Sequence, residues 1–308
     1  MDFSNYFGAL AGLASGDALG TTLEFRPPGS FEPITDMIGG GPFFLQPGQW
    51  TDDTSMALCL AESLAIHPTF DPRDQIERYL KWYRQGYKSS RDECFDIGNT
   101  VRAALERYEA DPITPFVGTL EEDTAGNGSL MRLVPVAMRY ARSPEQALRM
   151  AAQSSKITHG ARACLDACRY FGGLLVGALT GVDRDTLLSP RYSPIPDYFS
   201  FEPLISSIDA IATGSFKEKE PPHIKGSGYV VHSLEAALWA FSRSEDFESG
   251  ALLAVNLGDD ADTTGAVYGQ LAGAYYGIES IPSRWLEKLT ALDEIESLSR
   301  ALWDRAHS

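Results

Sequence analysis

Two rows of glycines, each with a spacing of four residues, constrain the fold of this chain more than any other feature. The first row stands at residues 8, 12, 16 and 20, and the second at residues 265, 269, 273 and 277. A spacing of four places each row along one face of a helix. Because an interior glycine costs about 1 kcal/mol relative to alanine, six or more of them need a compensating contact. Close approach of the two helices supplies one; the alternative is that each row packs against a different bulky neighbour.

The spacing of apolar residues predicts further helices. After Thr54 the apolar residues fall on one helical face, at Met56, Ala57, Leu60, Ala61, Leu64 and Ala65. Similar patterns cover residues 76–83, 100–108, 133–141, 145–152, 161–179, 233–241 and 265–276. Only residues 228–232 suggest a short strand, and the breaks rich in proline and glycine are too short for interdomain linkers. The sequence therefore predicts one compact, mostly α-helical domain over residues 1–308.

The charge of the chain limits its partners. It carries 42 acidic and 26 basic residues, a net charge of −16, which argues against binding along a nucleic-acid backbone. The longest apolar run, residues 170–182, is too short to span a bilayer, and the N-terminus lacks the basic leading region of a signal peptide. We therefore expect a cytoplasmic protein without membrane contact.

The four cysteines show no disulfide-framework spacing. Cys164 and Cys168 lie one turn apart in a helical pattern. Two packed core thiols are a better interpretation of this pair than a zinc site.

The stretch LGDDADTTG, residues 257–265, gathers three carboxylates and two hydroxyls within residues 259–264. Aspartates this close repel one another, so a cation commonly stands between them, and hard cations prefer oxygen ligands. An ordinary surface turn is the alternative, because Asp, Thr and Gly are also common turn residues.

A second acidic cluster, QWTDDT, residues 49–54, stands directly before the amphipathic helix that follows Thr54. Thr and Asp are favoured at helix N-caps and first turns, so capping is the simpler explanation. One aspartate would suffice for capping, however, and the same composition recurs before the helix after Thr263. The two acidic helix starts therefore suggest a pair of hard cations held by oxygen ligands.

Six segments in one order resemble the ADP-ribosylglycohydrolase family, most closely its dinitrogenase reductase-activating branch. They are GLASGDALGTTLEF (12–25), MIGGGPFFLQPGQWTDDTSMAL (37–58), FDIGNTVRAAL (95–105), AGNGSLMRLVPVA (125–137), ITHG (157–160) and LGDDADTTGAVYGQLAGAYYG (257–277). The resemblance implies an orthogonal all-α fold with two divalent cations, Mg²⁺ or Mn²⁺. It also implies hydrolysis of the bond that joins ADP-ribose to an amino-acid side chain.

The resemblance implies a set of metal ligands: Thr51, Asp52, Asp53, Asp260, Asp262 and Thr263. Asp259 stands where relatives often have glycine, so we expect it to face solvent or to lie outside the ligand shell. Cations held by carboxylates and hydroxyls keep open positions for a substrate, where they can hold a ribose diol and activate water.

Two further carboxylates match catalytic positions of the family. Asp96 matches the acid/base residue of the nitrogenase-linked branch, and Glu24 matches a glutamate near the scissile bond in other branches. Breaking a ribosyl bond requires proton transfer and stabilisation of positive charge, which carboxyl groups supply. The alternatives are a helix N-cap for Asp96 and a solvated loop position for Glu24.

The resemblance also implies residues that contact the nucleotide: Gly126, Asn127, Gly128, Ser129 and Met131 in a glycine-rich turn, His159, and Tyr229. Exposed amides of such a turn can hold phosphate or ribose oxygens. The alternative for His159 is a core histidine whose hydrogen bonds are all made within the protein. Tyr229 is a candidate for stacking on adenine.

We therefore expect a metal-dependent hydrolase that removes ADP-ribose from modified arginine side chains of proteins. Hydrolysis of serine-linked or other ADP-ribosyl substrates is one alternative. A non-catalytic binding or structural relative is the other, although all six ligand positions carry competent side chains. We also predict that the two glycine-row helices pack against each other and run antiparallel, because that direction brings Glu24 beside Asp260 and Asp262.

Overall fold

The two glycine rows pack against each other in the computed structural model, which describes residues 1–308. Helices α1 (Phe3–Gly20) and α14 (Ala261–Tyr276) run antiparallel. Gly8 faces Gly273, Gly12 faces Gly269, and Gly16 faces Gly265, so closely that a methyl group on any of them would overlap the opposite backbone. Gly20 meets the backbone of Ala261 and Asp262 in the same way. The predicted contact and the predicted direction are both confirmed.

Substitution of Gly16 by alanine should test how much this contact contributes to stability. The added methyl would overlap the carbonyl of Gly265, and backbone on both sides leaves no flexible group to move. We expect a loss of about 3 kcal/mol in the free energy of unfolding, or a melting temperature lower by roughly 6 to 12 °C. The matched control is Gly98→Ala, where a methyl would meet nothing within 4 Å; an equal loss in both variants would contradict the prediction.

The remaining helices surround this pair. They are α2 (Asp52–Ile66), α3 (Pro72–Gln85), α4 (Asn99–Ala110), α5 (Val134–Tyr140), α6 (Pro144–Lys156), α7 (Arg162–Leu179), α8 (Arg184–Leu187), α9 (Tyr198–Phe201), α10 (Ser206–Ala212), α11 (Ser215–Glu218), α12 (Val230–Arg243), α13 (Phe247–Val255), α15 (Ser283–Leu286) and α16 (Leu292–His307). Three short 3₁₀ turns span Thr21–Leu23, Glu122–Thr124 and Ile278–Ser280. The all-α prediction is confirmed, and one continuous apolar core extends from Tyr6 to Leu302.

The short strand suggested at residues 228–232 is wrong. Val230 begins α12, and Tyr229 forms only an isolated bridge with Gly126. The apolar run belongs to the buried face of α12, which continues through Leu234 and Leu238. The helical spacing of its apolar residues is recognisable only over the full length of α12, not over the five residues 228–232.

Cys164 and Cys168 are buried and unpaired in α7, which confirms their interpretation as core thiols. None of the helices has the length and apolar character needed to cross a bilayer.

Candidate metal centre

The N-terminal ends of α2 and α14 meet inside the protein. The Thr51 hydroxyl lies 3.2 Å from Oδ2 of Asp262, 211 positions away in the sequence. The Thr263 hydroxyl lies 3.4 Å from Oδ2 of Asp53. Asp260 stands at the start of α14 and makes no capping bond with its side chain. The two acidic clusters of the sequence thus form one site, and neither is a surface turn.

The Thr51 hydroxyl shows that this site serves more than helix capping. Thr51 holds the N-cap position of α2, yet its side chain makes no capping bond. Its oxygen lies 3.0 Å from Asp17, 3.0 Å from Asp53 and 3.2 Å from Asp262. A hydroxyl has one proton and can donate to only one of three carboxylates. At least two of these three carboxylates therefore receive no proton from Thr51.

Several carboxylate oxygens of the centre are buried without any hydrogen-bond partner: Oδ1 of Asp53, Oδ1 of Asp262 and Oε2 of Glu24. Burial, and after it the neighbouring carboxylates, raises the pKa of Asp53 and Asp262 well above the usual range. Burial likewise raises the pKa of Asp52. Unpaired buried anions are costly, and divalent cations with oxygen ligands remove that cost. The donor set therefore fits such cations.

Two groups of carboxylates overlap at Asp262. Oxygens of Asp17, Asp53 and Asp262 lie within 4.8 Å of one another, and so do oxygens of Glu24, Asp96 and Asp262. Asp262 thus stands between a deep group and a second group at the wall of the cleft.

The stability of the metal-free protein should fall as the pH rises. Burial and the neighbouring Asp52 and Asp260 raise the pKa of Asp96 to about 9, and burial raises that of Asp17 to about 6. The folded state therefore holds protons that the unfolded state loses near pH 4. Between roughly pH 4 and 9, each rise in pH lowers the free energy of unfolding.

Cations need the ionised carboxylates, so they should bind more tightly across the same interval. We expect the Mn²⁺-induced rise in melting temperature, measured against EDTA, to be larger at pH 8 than at pH 5. An equal rise at both values would show that the carboxylates are already ionised without metal.

Asp17 belongs to this centre, and the sequence analysis did not identify it. Its Oδ1 accepts hydrogen bonds from the Thr51 amide at 2.9 Å and hydroxyl at 3.0 Å. Its Oδ2 accepts from the Thr54 amide at 3.0 Å and hydroxyl at 2.6 Å. Asp17 thus fixes the start of α2 from the side of α1. The available signal was that Asp17 is the only charged residue in α1.

Glu24 is not a solvated loop residue. It is buried at the end of the turn that follows α1, and burial and the surrounding aspartates raise its pKa far above the usual range. The next residue, Phe25, donates its amide to the Asp259 carbonyl at 2.7 Å, which ties the Glu24 turn to the start of α14. Asp259 itself is exposed, as expected.

Asp96 is not a helix cap either. Helix α4 begins at Asn99 with Gly98 as its N-cap, and Asp96 has φ of 55° in the left-handed region. An aspartate tolerates this conformation better than most residues. Asp96 and Glu24 are brought to the same wall of one cleft.

That cleft has a volume of about 420 Å³, within the range of small-molecule sites. Its lining includes Glu24, Asp52, Asp96, Gly126, Asn127, Gly128, Met131, His159, Asp260, Asp262 and Thr263. Thr51 and Asp53 are fully buried beneath it. Most residues proposed from the sequence therefore surround a single cavity, with the metal centre at its floor.

Two of the proposed nucleotide contacts lie elsewhere. The Ser129 side chain is buried, and its hydroxyl lies 2.8 Å from the Ser155 hydroxyl, so any contact with a ligand would come from its main chain. Tyr229 does not line the cavity; its ring is 39% exposed beside it and meets His232 edge-on.

The glycine-rich turn is held directly against the metal centre. Asn127 donates its side-chain amide to Oδ2 of Asp260 at 2.5 Å and to the Ser233 hydroxyl at 2.8 Å. Its main-chain N–H donates to the Gly228 carbonyl at 3.1 Å. Asn127 therefore couples the turn to α12 and α14.

His159 has a hydrogen-bond partner in the core and also lines the cavity. Its Nδ1 lies 2.9 Å from the Thr158 hydroxyl, which also accepts from Arg132. Burial, assisted by the Arg132 charge, lowers the pKa of His159 to about 3, so the ring is neutral. The ring also packs closely against Gly128, where a methyl group would lie 2.9 Å from Cε1. Glycine at this position lets the turn approach the histidine.

An all-helical fold with an acidic centre at two helix starts is the arrangement implied by the sequence resemblance, and the family profile agrees. The chain belongs to the ADP-ribosylglycohydrolase family, whose profile matches residues 2–308.

Individual relatives cover nearly the whole chain. It is 43% identical to the "ADP-ribosylarginine hydrolase Tri1" of Serratia proteamaculans over 96% of this chain and 78% of the relative. It is 34% identical to the "ADP-ribosyl-[dinitrogen reductase] glycohydrolase" of Rhodospirillum rubrum over 92% of this chain and 89% of the relative. A solved structure, an "ADP-ribosylglycohydrolase-related protein complex", superposes with a TM-score of 0.86 at 46% identity and covers 99% of this chain and 98% of its own. The nitrogenase-linked branch is thus less similar to this chain than the Tri1 hydrolase.

Proposed function

We propose that this protein is a metal-dependent hydrolase that removes ADP-ribose from arginine side chains of modified proteins. The observation that carries the proposal is the meeting of two acidic helix starts beneath a cleft with Glu24 and Asp96 on its wall. The arginine linkage is supported by the 43% identity to relatives named ADP-ribosylarginine hydrolases.

Two divalent cations, Mg²⁺ or Mn²⁺, are proposed to occupy the centre. Their protein ligands would be Thr51, Asp52, Asp53, Asp260, Asp262 and Thr263. Hydroxyl and carboxylate oxygens suit these ions, and no thiol or imidazole is among the ligands. When bound, the cations supply a Lewis acid for the ribose hydroxyls and for water.

The two carboxyl groups on the wall are proposed to carry out the proton transfers. Oxygens of Glu24 and Asp96 lie within 4.8 Å of Asp262 and of each other, so they cannot all be ionised without compensation. We propose that Asp96 acts as the acid/base residue and that Glu24 stabilises positive charge at the ribosyl carbon. Their enclosed position strengthens both effects, because charges interact more strongly away from water.

The glycine-rich turn is proposed to hold the rest of the ADP-ribose. Gly126 and Gly128 line the cavity and carry no side chain of their own, and Asn127 holds the turn in place. Neutral His159 offers a polar ring edge without a charge. Tyr229, exposed beside the cavity, is proposed to contact a base that projects from it.

A substrate panel tests this proposal. The protein with Mn²⁺ is incubated with ADP-ribosyl-arginine, ADP-ribosyl-serine and O-acetyl-ADP-ribose, and released ADP-ribose is measured. We expect kcat/KM to be at least about tenfold higher for the arginine substrate, a difference of about 1.4 kcal/mol. Preference for serine would support the first alternative; absence of both turnover and Mn²⁺ binding by calorimetry would favour a non-catalytic relative.

A further inference from the structure

A second cleft lies at the other end of α2 from the metal centre. The C-terminal end of α2 leads into its wall, about 21 Å from Asp52 at 1.5 Å per residue. Its volume is about 520 Å³. It is lined by Pro68, Thr69, Phe70, Arg139, Tyr140, Arg142, Ser143, Gln146, Arg149, Met150, Arg305, Ala306 and Ser308. We call it the arginine cleft.

The charge of the arginine cleft is opposite to that of the whole protein. Four arginines line it, and no Asp or Glu side chain does. None of the four takes part in any of the ion pairs of the structure, although the chain has a net charge of −16 and many carboxylates to offer. Positive side-chain charge is therefore concentrated at this concave surface without an ion-pair partner.

Two of these arginines are held in place by neutral groups. Arg139 donates to the carbonyls of Arg305 and Pro68, both at 3.1 Å. Arg305 donates to the carbonyls of Ala65 and Ile66 at the end of α2, at 2.8 and 3.0 Å. Carbonyl acceptors orient a guanidinium without neutralising it, so both retain their full charge.

The other two arginines have no such structural role. Arg142 and Arg149 are exposed, and their side chains make no hydrogen bond within the chain. Hydrogen bonds to main-chain carbonyls account for Arg139 and Arg305 but leave this second pair without a partner. The hydroxyl of Ser143 and the amide of Gln146 add neutral donors between them.

We infer that the arginine cleft binds a small anion that carries two or more phosphate groups. Guanidinium groups match phosphate oxygens in paired hydrogen bonds, and four of them exceed what a single carboxylate can use. The concave shape and a volume within the range of ligand sites favour a small anion over a flat protein surface. The inference does not depend on the reaction catalysed at the metal centre.

Calorimetric titration of the Mg²⁺-loaded protein with inorganic pyrophosphate, and separately with ADP, tests the inference. The variant Arg142→Ala/Arg149→Ala removes the two arginines that have no structural contact. The control variant, Lys81→Ala/Arg300→Ala, makes the same change in net charge at exposed sites outside the cleft. None of the substituted residues lines the metal cleft, so binding there is expected to be the same in all three proteins and to cancel in the comparison.

We expect the arginine variant to weaken the Kd for pyrophosphate at least tenfold, with wild-type affinity in the control. Tighter binding of ADP than of pyrophosphate, lost in the arginine variant, would support the inference and identify a nucleotide as the source of the phosphates. Equal affinities in wild type and the arginine variant would overturn it. Arginine-dependent binding of hexaglutamate without binding of pyrophosphate would also overturn it, in favour of an acidic protein partner.

Discussion

Replacement of Asp96 by asparagine is expected to lower kcat for ADP-ribosyl-arginine by about 10³-fold, because the acid/base group is lost while its shape is kept. Asparagine is the appropriate substitute since Asp96 has φ of 55°, a conformation that Asn accepts and that strains alanine. Asp96 is outside the set of six proposed metal ligands. Calorimetry should therefore show that Mn²⁺ binding survives with little change.

The matched control is Asp259→Asn. Asp259 is also at the cleft and has a similar φ of 59°, but its side chain is exposed and not part of either carboxylate group. We expect its kcat to stay within about threefold of wild type, well below the typical contribution of an acid/base residue. Retained turnover in Asp96→Asn, or equal losses in both variants, would remove Asp96 from the catalytic role.

The acidic centre was predictable because its chemistry is concentrated in short segments. Residues 51–53 and 260–263 each carry more oxygen ligands than a helix start needs. The two glycine rows predicted how α1 and α14 meet. Glycines four residues apart share one face of a helix, where the absence of side chains lets a second backbone approach closely. In both cases local sequence specified the contact.

Other parts of the site depend on the tertiary fold and left little trace in the sequence. Asp17 accepts hydrogen bonds from Thr51 and Thr54 across the contact between two helices, and the residues next to Asp17 in the sequence do not indicate these partners. The Ser129 hydroxyl turns toward Ser155 because α6 packs behind the glycine-rich turn. The arginine cleft adds Arg305 of α16 to three arginines that stand close together in α5, α6 and the turn between them, and nothing local to those three indicates the distant fourth.

Substitution of Asp262 is expected to have a large effect on metal binding, because this residue belongs to both carboxylate groups of the centre. The variant Asp262→Asn removes one negative charge and one strong oxygen donor from the proposed metal centre. We expect Mn²⁺ affinity to fall at least about 100-fold, as hard cations depend on ligand charge. Turnover should fall with it, and excess Mn²⁺ should restore only part of the activity.

The same substitution should stabilise the metal-free protein. Burial and the nearby carboxylates raise the pKa of Asp262, so ionising it in the folded state is unfavourable at pH 8. An amide of equal size carries no charge to bury and relieves the repulsion on Asp52 and Asp53. In EDTA at pH 8, the melting temperature of Asp262→Asn should exceed that of wild type, and with saturating Mn²⁺ for wild type the order should reverse. A variant less stable than wild type in EDTA would show that the Asp262 carboxylate holds the fold together without a cation.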